Sequence, residues 1–450
     1  MNLRVCFLAA LATAGQAGAQ DLMGIYDQAL QHDPTLRESQ ATLHSAEEYR
    51  PQGIARLLPQ VTATAYLNRN SVLTRSTNNV QNIIAGGRNL GFWDSAGSLR
   101  LVQPIYHHEY WVQLSAADNQ IAKAQANFEN TVQNLGLRTA QAYFDLLYAQ
   151  DSLGFAGAER QAVERQLEQA KARFEVGLIA ITDVNEAQAG YDQATANVIK
   201  AENELDNARE ALREFVGEFD PDVRGLGDAL PLTPPTPADL ALWGRRATEG
   251  NLGVIALEND AEIFRKTIDL RFAGHLPAVD LVGSAGFTDN NRPFGVSSES
   301  QVIGIQASLP LFQGGLVNSQ VTQARYDLEA AQERLDKQRR AANKQAKNAY
   351  RGILSSVGQV NALRAAVTSS ESALEATEAG FEVGTRTMVE VLTEQRNLYG
   401  AKRNYAKARY DYIVNSLSLK QAAGVLQRED LELVNSWLGG VTPPPEPSRN

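Results

Sequence analysis

The sequence is an internal duplication, and its second copy begins a little over two hundred residues after the first. The tetrapeptide Phe-Glu-Val-Gly at 174–177 returns at 381–384, and Val-Gln-Pro-Ile at 102–105 is matched by Ser-Leu-Pro-Leu at 308–311. A repeat of this length is far longer than the roughly 20–50 residues of a solenoid unit. The duplication therefore predicts a half-protein that occurs twice in each chain, so that each structural feature of the fold is also present twice.

Residues 1–19 are predicted to be a secretory signal peptide. Arg4 precedes an apolar run at 5–12, and a small-x-small motif at 17–19 fits the cleavage site. The apolar run is too short to span a bilayer. The single cysteine, Cys6, lies in this segment, so we expect the mature chain to have neither thiol nor disulfide chemistry. A formal net charge of −10 argues against a nucleic acid partner.

Proline is absent between Pro104 and Pro221 and again between Pro310 and Pro443. Both spans are rich in Ala, Gln, Glu, Leu, Lys and Arg, which favour helices. Apolar residues recur there at alternating spacings of four and three, which is typical of coiled-coil-like packing. We predict long helices at 106–174 and 183–216 in the first repeat, and at 314–380 and 388–424 in the second. The longest would reach about 100 Å, which suits a rod or a tube.

Two segments, 60–105 and 279–312, each predict a pair of strands. Val61 and Leu67 belong to a run in which apolar and polar residues alternate, and Ile303 and Ile305 belong to another. Strands of about ten residues with one apolar and one polar face are typical of outer-membrane barrels. Four strands cannot close a barrel, because small barrels need about eight. Three chains would supply twelve strands, so we predict a mixed α+β membrane protein whose strands close between chains.

The repeats also set the domain boundaries. We predict a first repeat at 20–220, a Pro-rich linker at 221–237, a second repeat at 238–424 and a C-terminal tail at 425–450. A helix is expected before each strand pair, and the tail is expected to be disordered after Gly440. A soluble periplasmic coiled-coil scaffold or adaptor stays as an alternative. Such a protein would not need paired strands with an outward apolar face.

No pattern of residues predicts an enzyme, a metal site or a bound cofactor. His107-His108-Glu109 lacks the second histidine, four residues on, that a helical zinc motif requires. Tyr110 and Trp111 follow it directly, and an aromatic cluster after a strand is typical of a membrane interface. Neither a nucleotide-binding fingerprint nor a catalytic constellation is present in the sequence.

Four sequence runs carry a resemblance to a known family. They are Arg-Phe-Glu-Val-Gly-Leu-Ile-Ala-Ile-Thr-Asp-Val at 173–184, His-Leu-Pro at 275–277, Gly-Gly-Leu-Val-Asn-Ser-Gln-Val at 314–321 and Gly-Thr-Arg-Thr at 384–387. The chain resembles the TolC family of outer-membrane efflux and secretion ducts over essentially its whole mature length. The resemblance implies a homotrimer with a twelve-stranded barrel in the outer membrane of a Gram-negative bacterium. A coiled-coil-like helical tunnel would continue it across the periplasm.

The resemblance also implies partners and a gate at the periplasmic mouth. An inner-membrane transporter and its periplasmic adaptor would open the mouth. The resemblance does not identify the cargo, which could be drugs, proteins or metabolites. The family places a charged link at Asp183 and Arg386, with Thr182 beside it and a second basic position at Arg409. Phe381 stands where the family has a tyrosine. Because the hydroxyl is missing, we expect one constraint fewer on the closed gate.

Two further sets of residues follow from the resemblance. Of two acidic rings at the constriction, the first is kept as Glu390 and the second position is Thr393. Glu390 also completes a helix-capping box, a purely structural role that the sequence favours. Adaptor docking is expected at the repeated turns, where the residues could equally be plain turn residues: Gly177, Leu178, Gly384 and Thr385.

Overall fold

The computed structural model of the chain describes residues 20–73, 89–220, 222–227, 230–291, 295 and 297–439. The predicted signal peptide and the tail predicted to be disordered after Gly440 lie outside these residues. The chain divides into two compact units. One is formed by Met1–Glu38, Glu129–Asn251 and Arg340–Asn450, and the other by Ser39–Phe128 and Leu252–Arg339.

The second unit contains one antiparallel sheet of four strands, in the order β1-β2-β3-β4. The strands are β1 at Gln60–Leu73, β2 at Asn89–Tyr106, β3 at Ala278–Asn290 and β4 at Ser298–Ser308. β4 ends short of the predicted boundary at 312, because Pro310 has no amide to donate to a neighbouring strand. β1 and β4 are the edges of the sheet, and each pairs with one other strand among the described residues.

The strand register separates an apolar face from a polar one. Val61 lies opposite Leu101, and Gly283 lies opposite Ile303, so one cross-strand row is wholly apolar. Ile303 is 82% exposed, and Val61 is 66% exposed. A contiguous apolar surface of this kind needs an apolar environment or a partner to cover it.

Both repeats have shorter helices, then a strand pair and then two long helices, although the first repeat has three of the shorter helices and the second has two. Short helices precede each strand pair: α1 at Leu22–His32, α2 at Pro34–Glu47 and α3 at Tyr49–Ala55 in the first repeat, and α6 at Leu240–Gly250 and α7 at Leu252–Phe272 in the second. Two long helices follow each pair: α4 at His108–Glu175 and α5 at Ile181–Val216, then α8 at Leu316–Glu382 and α9 at Met388–Ala422. No helix within the described parts of the chain is both long and apolar enough to cross a membrane.

The segment between the repeats is held against the long helices of the first unit by tyrosine hydroxyls. Tyr143 of α4 donates to the carbonyl of Arg224 at 2.7 Å. Tyr412 of α9 contacts both the amide and the carbonyl of Thr233 at 3.0 Å. The predicted linker is therefore an ordered strap over its described residues rather than a loose spacer.

The segment after α9 is also folded up to residue 439. It contains α10 at Arg428–Asn435, whose first residue donates to both carboxylate oxygens of Asp27 at 2.6 and 3.0 Å. Leu226 and Leu438 form an antiparallel bridge between the linker and this segment. The first part of the predicted tail thus belongs to the packed unit, because its charged and apolar groups have partners on α1 and the linker.

Candidate functional site

Each pair of long helices is joined by a tight turn, at 176–180 between α4 and α5 and at 383–387 between α8 and α9. Gly177 and Gly384 have φ values of 75° and 77°, a left-handed conformation that favours glycine. Both turns have the hydrogen bonds of a Schellman motif. The amide-to-carbonyl distances are 2.9 Å for Gly177 to Phe174, 2.9 Å for Leu178 to Arg173, 3.1 Å for Gly384 to Phe381 and 2.8 Å for Thr385 to Gly380.

One apolar cluster lies behind both turns and draws on all four long helices. Its buried members are Val163, Leu167, Ala170, Ala187, Phe381, Met388, Val391 and Leu392. Met388 and Val391 are completely buried, and Phe381 is 9% exposed. The two helix hairpins of a chain are therefore packed against each other at this end by a common core.

The second turn carries a complete set of polar contacts around Glu390. One carboxylate oxygen accepts from the Thr387 amide at 2.8 Å and from its hydroxyl at 3.1 Å, and the other accepts from Arg386 at 2.8 Å. The Glu390 amide donates back to the Thr387 hydroxyl at 3.3 Å. The Thr387 amide and the Arg386 guanidinium lower the pKa of Glu390 below its ordinary value. The residue predicted for the acidic ring thus has the structural capping role.

The first turn has a weaker version of this arrangement. Asp183 occupies the position that corresponds to Glu390, and its carboxylate accepts from the Ala180 amide at 3.2 Å. Ala180 has no side-chain acceptor to return the hydrogen bond, whereas Thr387 does. Arg386 pairs with Glu390, and among the described residues Asp183 forms no hydrogen bond with Arg386. The predicted charged link is therefore not formed inside one chain, and the neighbouring Thr182 is exposed.

Phe381 has a partner that the sequence reasoning missed. The Arg173 guanidinium of α4 lies over the Phe381 ring, 5.2 Å from its centroid. A cation over an aromatic face is attracted by the ring quadrupole. This contact joins the two hairpins of the chain. The available signal was Arg173, which precedes the Phe-Glu-Val-Gly motif in the first repeat, where the second repeat has Gly380.

Arg409 is not brought near the other predicted gate residues. It lies 21 residues beyond the start of α9, which is about 30 Å along the helix. Its guanidinium donates to the carbonyl of Gly227 in the linker and lies 5.7 Å from the centroid of the Tyr405 ring. The adjacent Tyr410 donates to Asp151 at 2.6 Å. Within one chain, Arg409 is thus part of the contact between α9 and the linker.

The remaining predicted residues are at the protein surface. Thr393 is exposed and donates to the carbonyl of Val389 at 2.7 Å. Leu178 is 73% exposed, beside the left-handed Gly177. The backbone of Gly384 and Thr385 is in the matching position of the second turn, and Thr385 is exposed. The exposed side chain after the glycine is therefore apolar in the first turn, Leu178, and polar in the second turn, Thr385.

A buried carboxylate farther from the turns was also missed. Glu159 of α4 is 4% exposed, and burial raises its pKa although Arg403 and Arg396 act against this. One of its oxygens has no hydrogen-bond partner among the described residues. The heptad pattern of α4 gave no signal for it, since glutamate is common on helix surfaces.

The histidine directly before α4 forms a hydrogen bond rather than a cluster of ligands. His107 contacts Asp280 at 2.9 Å, and its ring is stacked on Tyr110 with centroids 4.6 Å apart. Among the residues that the structure describes, no group of three or more His, Cys, Asp or Glu side chains could hold a metal ion.

Known proteins are similar to this chain in sequence and in fold. The chain is 37% identical to the outer membrane protein TolC of Vibrio cholerae serotype O1 over 438 residues, which cover 96% of this chain and 97% of that protein. It is 29% identical to the alkaline protease secretion protein AprF of Pseudomonas aeruginosa, over 95% of this chain and 89% of that protein. The crystal structure of the Campylobacter jejuni CmeC outer membrane channel superposes with a TM-score of 0.77 at 15% identity, covering 98% of both chains.

The family match covers both copies of the repeat. The outer membrane efflux protein family matches residues 25–218 and 243–425, which leaves out the Pro-rich linker. The predicted class is confirmed, and the alternative of a soluble periplasmic scaffold is set aside. The chain belongs to the outer membrane efflux protein family and is a duct of the Gram-negative outer membrane that extends into the periplasm.

Proposed function

We propose that three copies of this chain form a gated, passive exit duct that closes at the turns between the long helices. The observation that carries the proposal is the four-stranded sheet, whose edge strands β1 and β4 each have one neighbour among the described residues. Its apolar face is exposed, with Ile303 at 82% and Ile305 at 71%. Three sheets joined edge to edge would give a twelve-stranded barrel whose apolar face contacts lipid.

We assign the gate to the two turns, with Asp183 of one chain facing Arg386 of the next. Arg386 contacts Glu390 through Nη1 and has further N–H donors for the next chain, on a side chain that is 56% exposed. Asp183 accepts from the Ala180 amide through Oδ2, which leaves its other oxygen for Arg386. A single exposed ion pair contributes about 0.2–1 kcal/mol, so three copies give at most about 3 kcal/mol. A switch from 1:99 to 99:1 needs about 5.5 kcal/mol. The apolar cluster around Phe381 must therefore supply part of the closing free energy.

Glu390 and Thr393 would line the constriction of this gate. Three Glu390 carboxylates in a narrow mouth would favour cations, because rings of acidic side chains select for them. The lowered pKa of Glu390 keeps these charges in place at neutral and mildly acidic pH. Thr393 has no charge, so the second ring would not add to the selectivity.

The exposed turns would dock the periplasmic adaptor that brings the inner-membrane transporter. Leu178 and Val383 are 73% and 75% exposed, and each lies beside a left-handed glycine. Photo-crosslinking from Leu178 and Thr385 to a co-expressed adaptor tests the assignment. Labelling that appears only from positions elsewhere on the long helices would refute it.

The names of the relatives indicate the class of cargo. AprF is named for secretion of an alkaline protease, and the family as a whole for efflux. We infer that this duct serves an efflux pump, a type I secretion system or both. A deletion strain measured for drug sensitivity and for secreted proteins separates the three cases, and a strain unchanged in both would contradict the inference.

Single-channel conductance in planar bilayers tests the gate. Asp183→Ala combined with Arg386→Ser should raise the conductance of the purified full-length protein. The matched control is Lys200→Ser with Glu204→Ala, which removes another exposed ion pair, at 3.6 Å, from α5. An unchanged conductance in the first variant would show that the charged link does not close the channel.

A further inference from the structure

Position 380 has diverged between the two copies of the repeat in a way that the apolar cluster does not explain. The corresponding residue of the first copy is Arg173, whose side chain crosses to the Phe381 ring at 5.2 Å. In the second copy the residue is Gly380, in the last turn of α8. Its helical backbone does not have the positive φ of Gly177 and Gly384. Glycine lowers helix stability relative to alanine, so its presence here calls for another reason.

The second turn folds back onto Gly380. The carbonyl of Gly380 accepts from the Thr385 amide at 2.8 Å, the Arg386 amide at 3.2 Å and the Thr385 hydroxyl at 3.0 Å. A β-carbon at position 380 would stand 2.6 Å from Cγ of Arg386 and 3.3 Å from the Thr385 hydroxyl. A separation of 2.6 Å is far inside the contact distance of two carbon atoms. The stem of Arg386 therefore lies in the space that a side chain at 380 would occupy.

The space left by the missing side chain at position 380 sets the direction of the Arg386 side chain. The Arg386 amide is hydrogen-bonded to the Gly380 carbonyl, so rotation about χ1 of Arg386 is the most direct way to move its Cγ away from a β-carbon at position 380. Such a rotation would carry the guanidinium away from Glu390, which it now contacts at 2.8 Å. We propose that Gly380 is a positioning residue of the gate: by lacking a side chain, it seats Arg386 beside Glu390 at the mouth. The inference rests on the proposed role of Arg386 in closing the duct.

The test is Gly380→Ala in the full-length protein, with single-channel conductance in planar bilayers as the readout. Gly358→Ala is the matched control, because Gly358 is exposed in the same helix and a β-carbon there would meet no atom within 4 Å. Both substitutions favour the helix, so weakening of α8 cannot account for a difference between them. Gly380→Ala should raise the conductance in the direction and to the extent of Arg386→Ala, and Gly358→Ala should leave it unchanged.

A double variant supplies a readout that a general packing defect would not give. Arg386→Ala removes the Cγ that a β-carbon at 380 would strike, so Gly380→Ala should have no additional effect in the Arg386→Ala background. Two additive increases would overturn the inference. A wild-type conductance for Gly380→Ala beside a raised one for Arg386→Ala would also overturn it, while leaving the gate intact.

The remaining outcomes are decisive as well. An unchanged conductance for Arg386→Ala would refute the proposed gate itself, and the positioning role would fail with it. If Gly380→Ala alone does not assemble, detected as loss of the heat-modifiable oligomer on gels, the double variant should restore assembly because the clash is gone. Failure of the double variant to assemble would mean that Arg386 is not the group that requires glycine at 380.

Discussion

The N-cap residues after the two turns differ, and the difference predicts unequal local stability. Thr387 begins α9 with a hydroxyl that accepts from the Glu390 amide at 3.3 Å and donates to its carboxylate at 3.1 Å. The corresponding residue before α5 is Ala180, which has neither contact. Replacing a capping threonine by alanine costs about 1 kcal/mol. Thr387→Ala should therefore lower the opening free energy of the second turn by about that amount.

Amide hydrogen exchange measures this effect directly, because exchange reports the free energy of local opening. A loss of about 1 kcal/mol corresponds to about fivefold faster exchange for the amides of the first turn of α9. Ala180→Thr should slow exchange at the start of α5 by a similar factor, since Asp183 is already in place to complete the capping box. Both changes should leave the exchange of the other turn as in the wild-type protein.

Thr368→Ala is the control for loss of a threonine hydroxyl away from a cap. Thr368 is exposed in the interior of α8, and its hydroxyl donates to the carbonyl of Arg364. This substitution should not accelerate exchange in either turn. Equal exchange of the two turns in the wild-type protein, or no response to Thr387→Ala, would refute the reasoning.

Three further predictions concern charged residues of the long helices and of the second turn. Glu159→Gln should raise the midpoint of thermal unfolding at pH 7. Burial raises the pKa of Glu159 above its ordinary 4.5, so the gain in stability should appear as pH rises above 4.5 and vanish below that pH. A gain that is independent of pH would contradict the prediction. Arg173→Gln should weaken the closed state by about 0.5–1 kcal/mol per chain and so raise the conductance. It should have no effect once Phe381→Leu has removed the ring. An equal increase of the conductance in both backgrounds would argue against the contact. The cation selectivity due to Glu390 is measured from reversal potentials. It should persist from pH 7 down to pH 4.5, the ordinary pKa of glutamate, and decline only as pH falls through the lowered pKa of Glu390. Loss of selectivity above pH 4.5 would exclude Glu390 as the source.

The strands and long helices were largely predictable because their signals are local and periodic. Alternation around Val61 and Ile303 and the seven-residue period before Phe381 each specify one element with one apolar face. The repeated Val-Gly pairs located both turns, since Gly177 and Gly384 are required by the left-handed backbone. The strap formed by the linker was missed because it depends on Tyr143 and on other side chains far away in sequence.

The candidate site was less predictable, because its contacts are between helices. The sequence pattern shows that Asp183 and Glu390 are equivalent in the repeat, but not that Arg386 is paired with Glu390 inside one chain. The position of Arg173 over Phe381 depends on how α4 and α8 pack, and no spacing along either helix reports it. The contact of Arg409 with Gly227 is of the same kind.

The most direct test of a gate formed between chains is a disulfide across it. The only cysteine of the sequence, Cys6, lies in the predicted signal peptide, so Asp183→Cys combined with Arg386→Cys introduces a pair without background. Such a bond forms only where the two Cα atoms approach within about 7 Å. Oxidation should give covalently linked trimers of low conductance, and reductant should raise the conductance. Absence of linked trimers, or a conductance that ignores the reductant, would contradict a mouth closed by these residues between neighbouring chains.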